Sequence, residues 1–241
     1  MTRWLFLAMA CALALCAAPA AAQELSLNLG DGPLLSTRTV QLLVLITVLG
    51  LAPGLAVTVT CFPFIVTVLS ILRQAIGLQQ APPNMLMVSL AIFLTWFIMD
   101  PVFTEAWTKG IEPLNAGQIT AVQAFDEVQK PFRAFMIARM DPETFTALQA
   151  LRPGEAGPAA GAPLSLLIPS FMLSEITRAF EIGFMIFLPF LIIDLVVSAV
   201  LMSMGMMMVP PAVVALPFKL AFFVVANGWT LISAALVRSY M

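Results

Sequence analysis

Apolar residues fall in three blocks along the chain. The first, Trp4 to Ala18, follows a lone positive charge at Arg3 and is short for a membrane span. Ala20-Ala21-Ala22 behind it supplies small residues at both positions that a signal peptidase reads. Residues 1–22 are therefore expected to be a cleavable signal peptide, with Gln23 opening the mature chain; an uncleaved anchor is the alternative. A short polar segment, 23–38, separates this block from the second, 39–99. There Pro53-Gly54 should bend or break a helix, and Arg73, Gly77 and Pro82-Pro83-Asn84 read as a basic last turn, a glycine stop and a turn. The apolar run Met85 to Met99 then completes an antiparallel helical hairpin.

The pattern changes at Asp100-Pro101. More than half of the charged residues lie between Asp100 and Glu155, so residues 100–163 are expected to form a small water-exposed helical insertion. Asp141-Pro142-Glu143 reads as an N-cap, a proline at the first helical position and an acid in the first turn, opening a helix to about Leu151. Thr120 to Met140 is expected to be helical, with Phe125, Phe132 and Met136 on one face and a kink at Pro131. Gly154 to Pro163 has the composition of a flexible linker. The third apolar block, 164–241, is interrupted by prolines at 169, 189, 210, 211 and 217 and by Gly183, Gly205 and Gly228. Broken apolar helices survive at membrane depth only where protein or a water-filled cavity covers the freed backbone groups. This block is therefore expected inside an assembly. The fold class is all-α: broken apolar helical hairpins with a small helical insertion.

Composition narrows the function classes. The chain is 61% hydrophobic and only 10% charged, with a mean hydropathy of +1.01, so lipid is one of its solvents. A net charge of -2 with no basic patch gives nucleic-acid phosphates nothing to bind. There is no histidine, which removes the commonest general base and metal ligand. Cys11 and Cys16 lie in the first apolar block, leaving Cys61 alone in the mature chain, and there is no glycine-rich phosphate loop. No cofactor and no metal are expected.

The third block holds Glu175, Arg178, Glu181, Asp194 and Lys219 among its apolar residues. Glu175, Arg178 and Glu181 recur every three residues and share a helix face, where they can pair locally. Charges in hydrocarbon are expensive, which makes all five candidates for function or for contacts between subunits. Asp194 and Lys219 have no opposite charge nearby in sequence and need a partner from another helix or another subunit. The most distinctive string is Met202-Ser203-Met204-Gly205-Met206-Met207-Met208-Val209-Pro210-Pro211. Methionine is unbranched and polarizable, so a ring of such side chains could seal a pore and yield to a passing chain. Ordinary helix packing or lipid contact is the competing reading, and a copper(I) thioether site a weak third without Cys or His beside it. A Ser/Lys hydrolase would need Ser174 or Ser198 to meet Lys219, and no local spacing supports it. The chain is expected not to be an enzyme.

At these motifs the sequence resembles the FliP family of the flagellar type III export gate, called SctR in injectisomes, over nearly all of the mature chain. The resemblance rests on Val68-Leu69-Ser70-Ile71-Leu72-Arg73-Gln74-Ala75, Pro82-Pro83-Asn84, Phe93-Leu94-Thr95 and Pro131-Phe132-Arg133-Ala134-Phe135-Met136. It continues in Ile168-Pro169, Ser174-Glu175, Ile182-Gly183-Phe184, Phe187-Leu188-Pro189-Phe190, Ile193-Asp194, the methionine-proline string and Leu216-Pro217-Phe218-Lys219.

The resemblance implies a core pore-forming subunit, five copies of which form a ring with FliQ, FliR and FlhB-like subunits. Unfolded flagellar export substrates would pass along the axis of this ring, in the bacterial inner membrane at the flagellar basal body, with residues 100–163 on the periplasmic side. It further implies a methionine gasket at Met206, Met207 and Met208 and ion pairing between subunits through Glu175 and Lys219. One departure stands out: many relatives carry an arginine where this chain has Phe64, beside Pro63. The alternative class is a small-solute or ion transporter, which also uses broken helices with intramembrane charges. Against it stand the lack of an internal repeat and of a convergent set of carboxylates.

Overall fold

The computed structural model describes residues 40, 42–47, 50–51, 54, 57–77, 82–152, 157–206 and 208–241. The expected signal peptide, the polar segment 23–38, Pro53 and Met207 lie outside the described residues. The chain divides into two units, Met1–Leu49 and Gly50–Met241. In the first, the described residues 40 and 42–47 are helical with exposed side chains. The described residues of the second form helices and turns without a strand.

Helix α1 (Phe62–Ile76) carries Pro63 in its first turn, where a missing N–H costs nothing, and ends on Gly77. Gly77 adopts φ 85°, the left-handed conformation a helix stop requires, and donates its N–H to Gln74. The Arg73 guanidinium bridges the following turn to the Asn84 side chain at 2.9 Å. Helix α2 (Asn84–Ala106) continues without a stop through a π-helical turn, Trp107–Ile111, into α3 (Glu112–Asn115). The result is one 32-residue rod that passes through Pro101, where the composition changes.

Phe64, Ile65, Val68, Leu69 and Leu72 of α1 are fully buried. In lipid, helices are held by close packing rather than by escape from water, so small residues at crossings matter. Gly183, on α6 (Leu164–Ser203), is such a residue: a Cβ there would collide with Ile71 of α1.

The insertion is built by α4 (Ala121–Arg139) and α5 (Pro142–Ala150). Thr120 and Gln123 form a reciprocal capping box on α4, and Asp141 caps α5 through the Thr144 N–H at 2.8 Å. The Thr144 hydroxyl, and then its backbone N–H, hold the Asp141 carboxyl below its ordinary range. Because the folded pKa is depressed, this cap stabilises fully above the ordinary carboxylate range and is lost as pH falls through the lowered value. Two expectations for this region change. Phe125 is exposed while Met136 is buried, since the start of α4 turns Ala124 and Val128, not Phe125, toward Gly110 of the π turn. The stretch expected as a linker is pinned at 157–163, where Arg133 donates to the carbonyl of Ala162 and Ala162 is buried against Phe145 and Leu166.

The largest correction concerns α6. The prolines at 169 and 189 were expected to break it, yet it runs for 40 uninterrupted residues. An internal proline removes one hydrogen bond and bends the axis, and in an apolar setting the remaining backbone groups have no better partner than one another. The real breaks come later. Helix α7 (Pro211–Val225) starts on proline, and α8 (Gly228–Arg238) leaves it at a 61° bend. At the bend Asn227 adopts φ 50°, ψ 47°, and the Phe223 ring occupies the space beside Gly228, with Trp229 edge-on at 5.3 Å.

Gly228→Ala should therefore overpack the elbow and cost about 1–3 kcal/mol, read as a lowered unfolding midpoint in detergent. Adding Phe223→Leu should recover part of the loss.

Candidate functional site

Three features of the Gly50–Met241 unit gather the polar and methionine residues of interest. The first is a buried cluster around Glu175, which follows Ser174 about three turns into α6. Glu175 is 1% exposed. Its Oε1 accepts from Arg139 Nε at 3.3 Å, and its Oε2 accepts from the Tyr240 hydroxyl. Arg139 is the last residue of α4, and its guanidinium lies 4.0 Å from the centroid of the Tyr240 ring. It also donates to the Ser239 carbonyl at 2.8 Å. Phe64 packs edge-on to the same ring at 5.4 Å and Phe135 stacks on it at 6.0 Å. Beside the cluster the Asp141 N–H donates to Ser174 Oγ at 2.9 Å, so α6 fixes the α4–α5 corner twice. One carboxylate thereby joins α1, α4, α6 and the segment after α8.

The second feature is Lys219 of α7, which is 7% exposed. Its ammonium donates to Asp194 Oδ2 of α6 at 2.6 Å and to the Ala75 carbonyl of α1 at 3.0 Å. Ala75 lies in the last turn of α1, where carbonyls lack helical partners and the helix dipole favours a cation. Asp194 and Lys219, which had no partner in their own stretches of sequence, are partners for each other within the chain. Glu175 and Lys219 are not brought together: Asp194 lies 19 residues beyond Glu175, or about 28 Å of helix at roughly 1.5 Å per residue. Arg178 is half-buried and Glu181 exposed, and neither takes part in the ion pairs found among the described residues.

The third feature is the methionine turn. Gly205 takes φ 75° and donates to the Met202 carbonyl, while the Met206 N–H reaches back to Leu201, both at 3.0 Å. These two bonds are a Schellman stop, which closes α6 and satisfies two of its orphan carbonyls. Met206 then folds over an apolar recess of about 560 Å³ between α6 and α7, lined also by Val196, Val200, Met204 and Phe218. Met208 projects freely, 98% exposed. Among the described residues no group of three or more His, Cys, Asp or Glu gathers as for a metal. The hydroxyl of Ser174 donates to the Ser170 carbonyl, away from Lys219.

Sequence reasoning missed Arg139 and Tyr240. Arg139 was assigned to the water-exposed insertion, and its partners lie 36 and 100 residues away. Tyr240 carried one signal, being the single tyrosine of the chain.

The rod Asn84–Asn115 and α6 are each long and apolar enough to cross a membrane, and the bent α7–α8 pair makes a third candidate span. With Glu175 and Asp194 of α6 met by cations from other helices, this defines an all-α membrane protein. The chain belongs to the FliP family, whose profile matches residues 45–236. It is similar to the flagellar biosynthetic protein FliP of Caulobacter vibrioides, 47% identical over 234 residues that cover 97% of this chain and 88% of that protein. The flagellar biosynthetic proteins FliP of Agrobacterium fabrum and Bacillus subtilis are 46% and 43% identical, over 81% and 85% of this chain and 81% and 93% of their own lengths.

Glu175→Leu strands the buried Arg139 cation and should cost roughly 3–5 kcal/mol, whereas the double variant with Arg139→Met should cost less than the single one. Unfolding of the purified protein in detergent measures both.

Proposed function

We propose that this chain is a core, pore-forming subunit of the flagellar type III export gate, through which unfolded flagellar subunits cross the inner membrane. One observation carries the reading: the length and bareness of α6. At roughly 1.5 Å per residue its 40 residues extend about 60 Å, twice the roughly 30 Å hydrocarbon core of a bilayer. Of its most apolar 18-residue window only 11% is buried in the single chain. Tilt cannot absorb such an excess, so other protein, in part further copies of this chain, is needed to cover it. Family membership supplies the system: the FliP relatives are flagellar biosynthetic proteins.

Five copies closing a ring with FliQ-, FliR- and FlhB-like subunits is the proposed assembly, with residues 100–163 facing the periplasm. The chain acts there without an active site of its own. Met206, Met207 and Met208 are proposed to form the gasket. The freely projecting Met208 and the exposed turn around it support that role, because a seal needs side chains not already committed to the core. Pairing of Glu175 with Lys219 between copies then requires neighbours staggered by about 28 Å along α6, and exchange of the partners each holds within its own chain. Asp194 Oδ1 and Arg139 Nη2, both buried without a partner among the described residues, are polar groups left over for such an exchange.

Deletion of the gene should abolish filament export and leave small-ion fluxes intact; normal filaments would refute the gate. Changing Met206, Met207 and Met208 to alanine should raise ion leakage through assembled gates, whereas unchanged tightness would mean that these residues only pack. Charge exchange separates the pairings. Recovery of ring assembly on adding Glu175→Lys to Lys219→Glu indicates contact between copies. Recovery on adding Asp194→Lys instead indicates that the pair within the chain matters more.

A further inference from the structure

We infer that α7 and α8 form one rigid bent lever that couples the methionine turn to the insertion, with Tyr240 as its release point. The lever begins at Pro210-Pro211, directly after the methionine turn. It is held at two polar points, one buried and one half-buried. The first is Lys219, tied to Asp194 of α6 and to the last turn of α1. The second is the Ser239–Tyr240 step after α8, tied to Glu175 of α6 and Arg139 of α4.

Between these points the chain turns through 61°, and the turn is locked. Phe223 fills the space beside Gly228, Trp229 packs edge-on against it, and Phe190 of α6 approaches Phe223 at 6.3 Å. Asn227 holds its left-handed conformation, with its side-chain oxygen accepting from the Thr230 hydroxyl. The contacts of Phe223 with Gly228, Trp229 and Phe190 fix the angle between the two arms, so displacement of one arm is passed to the other. Movement at the Lys219 end is therefore passed to Tyr240.

What Tyr240 holds is specific. Its hydroxyl occupies the second oxygen of Glu175, its ring covers the guanidinium of Arg139, and the adjacent Ser239 carbonyl takes a further Arg139 donor. Arg139 closes α4, and the following Met140 and Asp141 lead into α5. Withdrawal of Tyr240 removes partners from both members of a buried ion pair at once, so the α4–α5 corner loosens with it. The insertion thereby senses the state of the methionine turn through the bulk of the chain rather than along α6 alone. This rests on the gate reading for its purpose, while its test is intramolecular, so loss of the lever and loss of the gate are distinguishable.

The test is hydrogen exchange in the full-length protein purified within its membrane complex, following the amides of residues 135–140. Lys219→Met should raise their exchange roughly tenfold, the loss of about one charge-assisted hydrogen bond. In a Tyr240→Ala background, already released, Lys219→Met should add no further rise. Tyr240→Phe, which keeps the ring over Arg139, should give an intermediate value. If Lys219→Met does not fold, a bulky maleimide on Met208→Cys replaces it as the disturbance at the near end. A rise of the same size whatever stands at position 240, or no rise at all, overturns the lever.

Discussion

A mostly apolar helix of 40 residues in a solvent layer half its length sets the terms for everything else in this protein. Lipid can satisfy about half of α6, and water can satisfy almost none of its side chains. The single chain covers part of the remainder by laying α1, with its buried Phe64, Val68 and Leu72, along one side. Gly183 permits the close approach, and Phe190 receives the aromatic elbow from α7 and α8. The uncovered length is the physical reason to expect neighbours. It is also why the polar residues on this helix matter, since a charge on such a rod is ruinous unless another element meets it.

Two charges of α6, the buried Glu175 and the half-exposed Asp194, are met by different kinds of partner. Asp194 receives the Lys219 ammonium, which also caps the carbonyl end of α1, so one cation serves an ion pair and a helix terminus together. Glu175 receives a guanidinium and a phenol, with aromatic rings closing the surroundings. Phe64 is central to that enclosure. Its ring packs against Tyr240, and the positive charge beside Glu175 comes from Arg139.

Local chemistry made many boundaries legible from the residues. The Gly77 stop, the Asp141 cap before Pro142, the Thr120 start of α4 and the break at Pro210-Pro211 each depend on groups within a few positions of one another. The methionine turn was recognisable as a string, but its Schellman closure and the division between the recess under Met206 and the free Met208 needed coordinates. The prolines of α6 misled because each was taken to break the helix, whereas a proline removes one hydrogen bond and the rest of the ladder has no better partner in an apolar setting. Arg139 and Tyr240 escaped notice because their meaning lies in contacts 36 to 100 residues distant. No local pattern encodes such a contact.

The π-helical turn at Trp107–Ile111 has a bearing on how the rod from Asn84 to Asn115 serves two environments. A turn that holds one residue more than its neighbours shifts everything after it by about 100° around the axis. The aromatic face of α2, with Phe93, Trp96 and Phe97 outward, is thereby decoupled from the face that α3 presents. Gly110 uses that shift to sit against Val128 and the backbone of α4 with no room for a side chain. The rod is in effect a drive shaft with an indexed joint: refolding the π turn to plain α-helix at constant length would turn the insertion by about 100° relative to the membrane, whereas deleting one residue from it would leave the faces on either side in place.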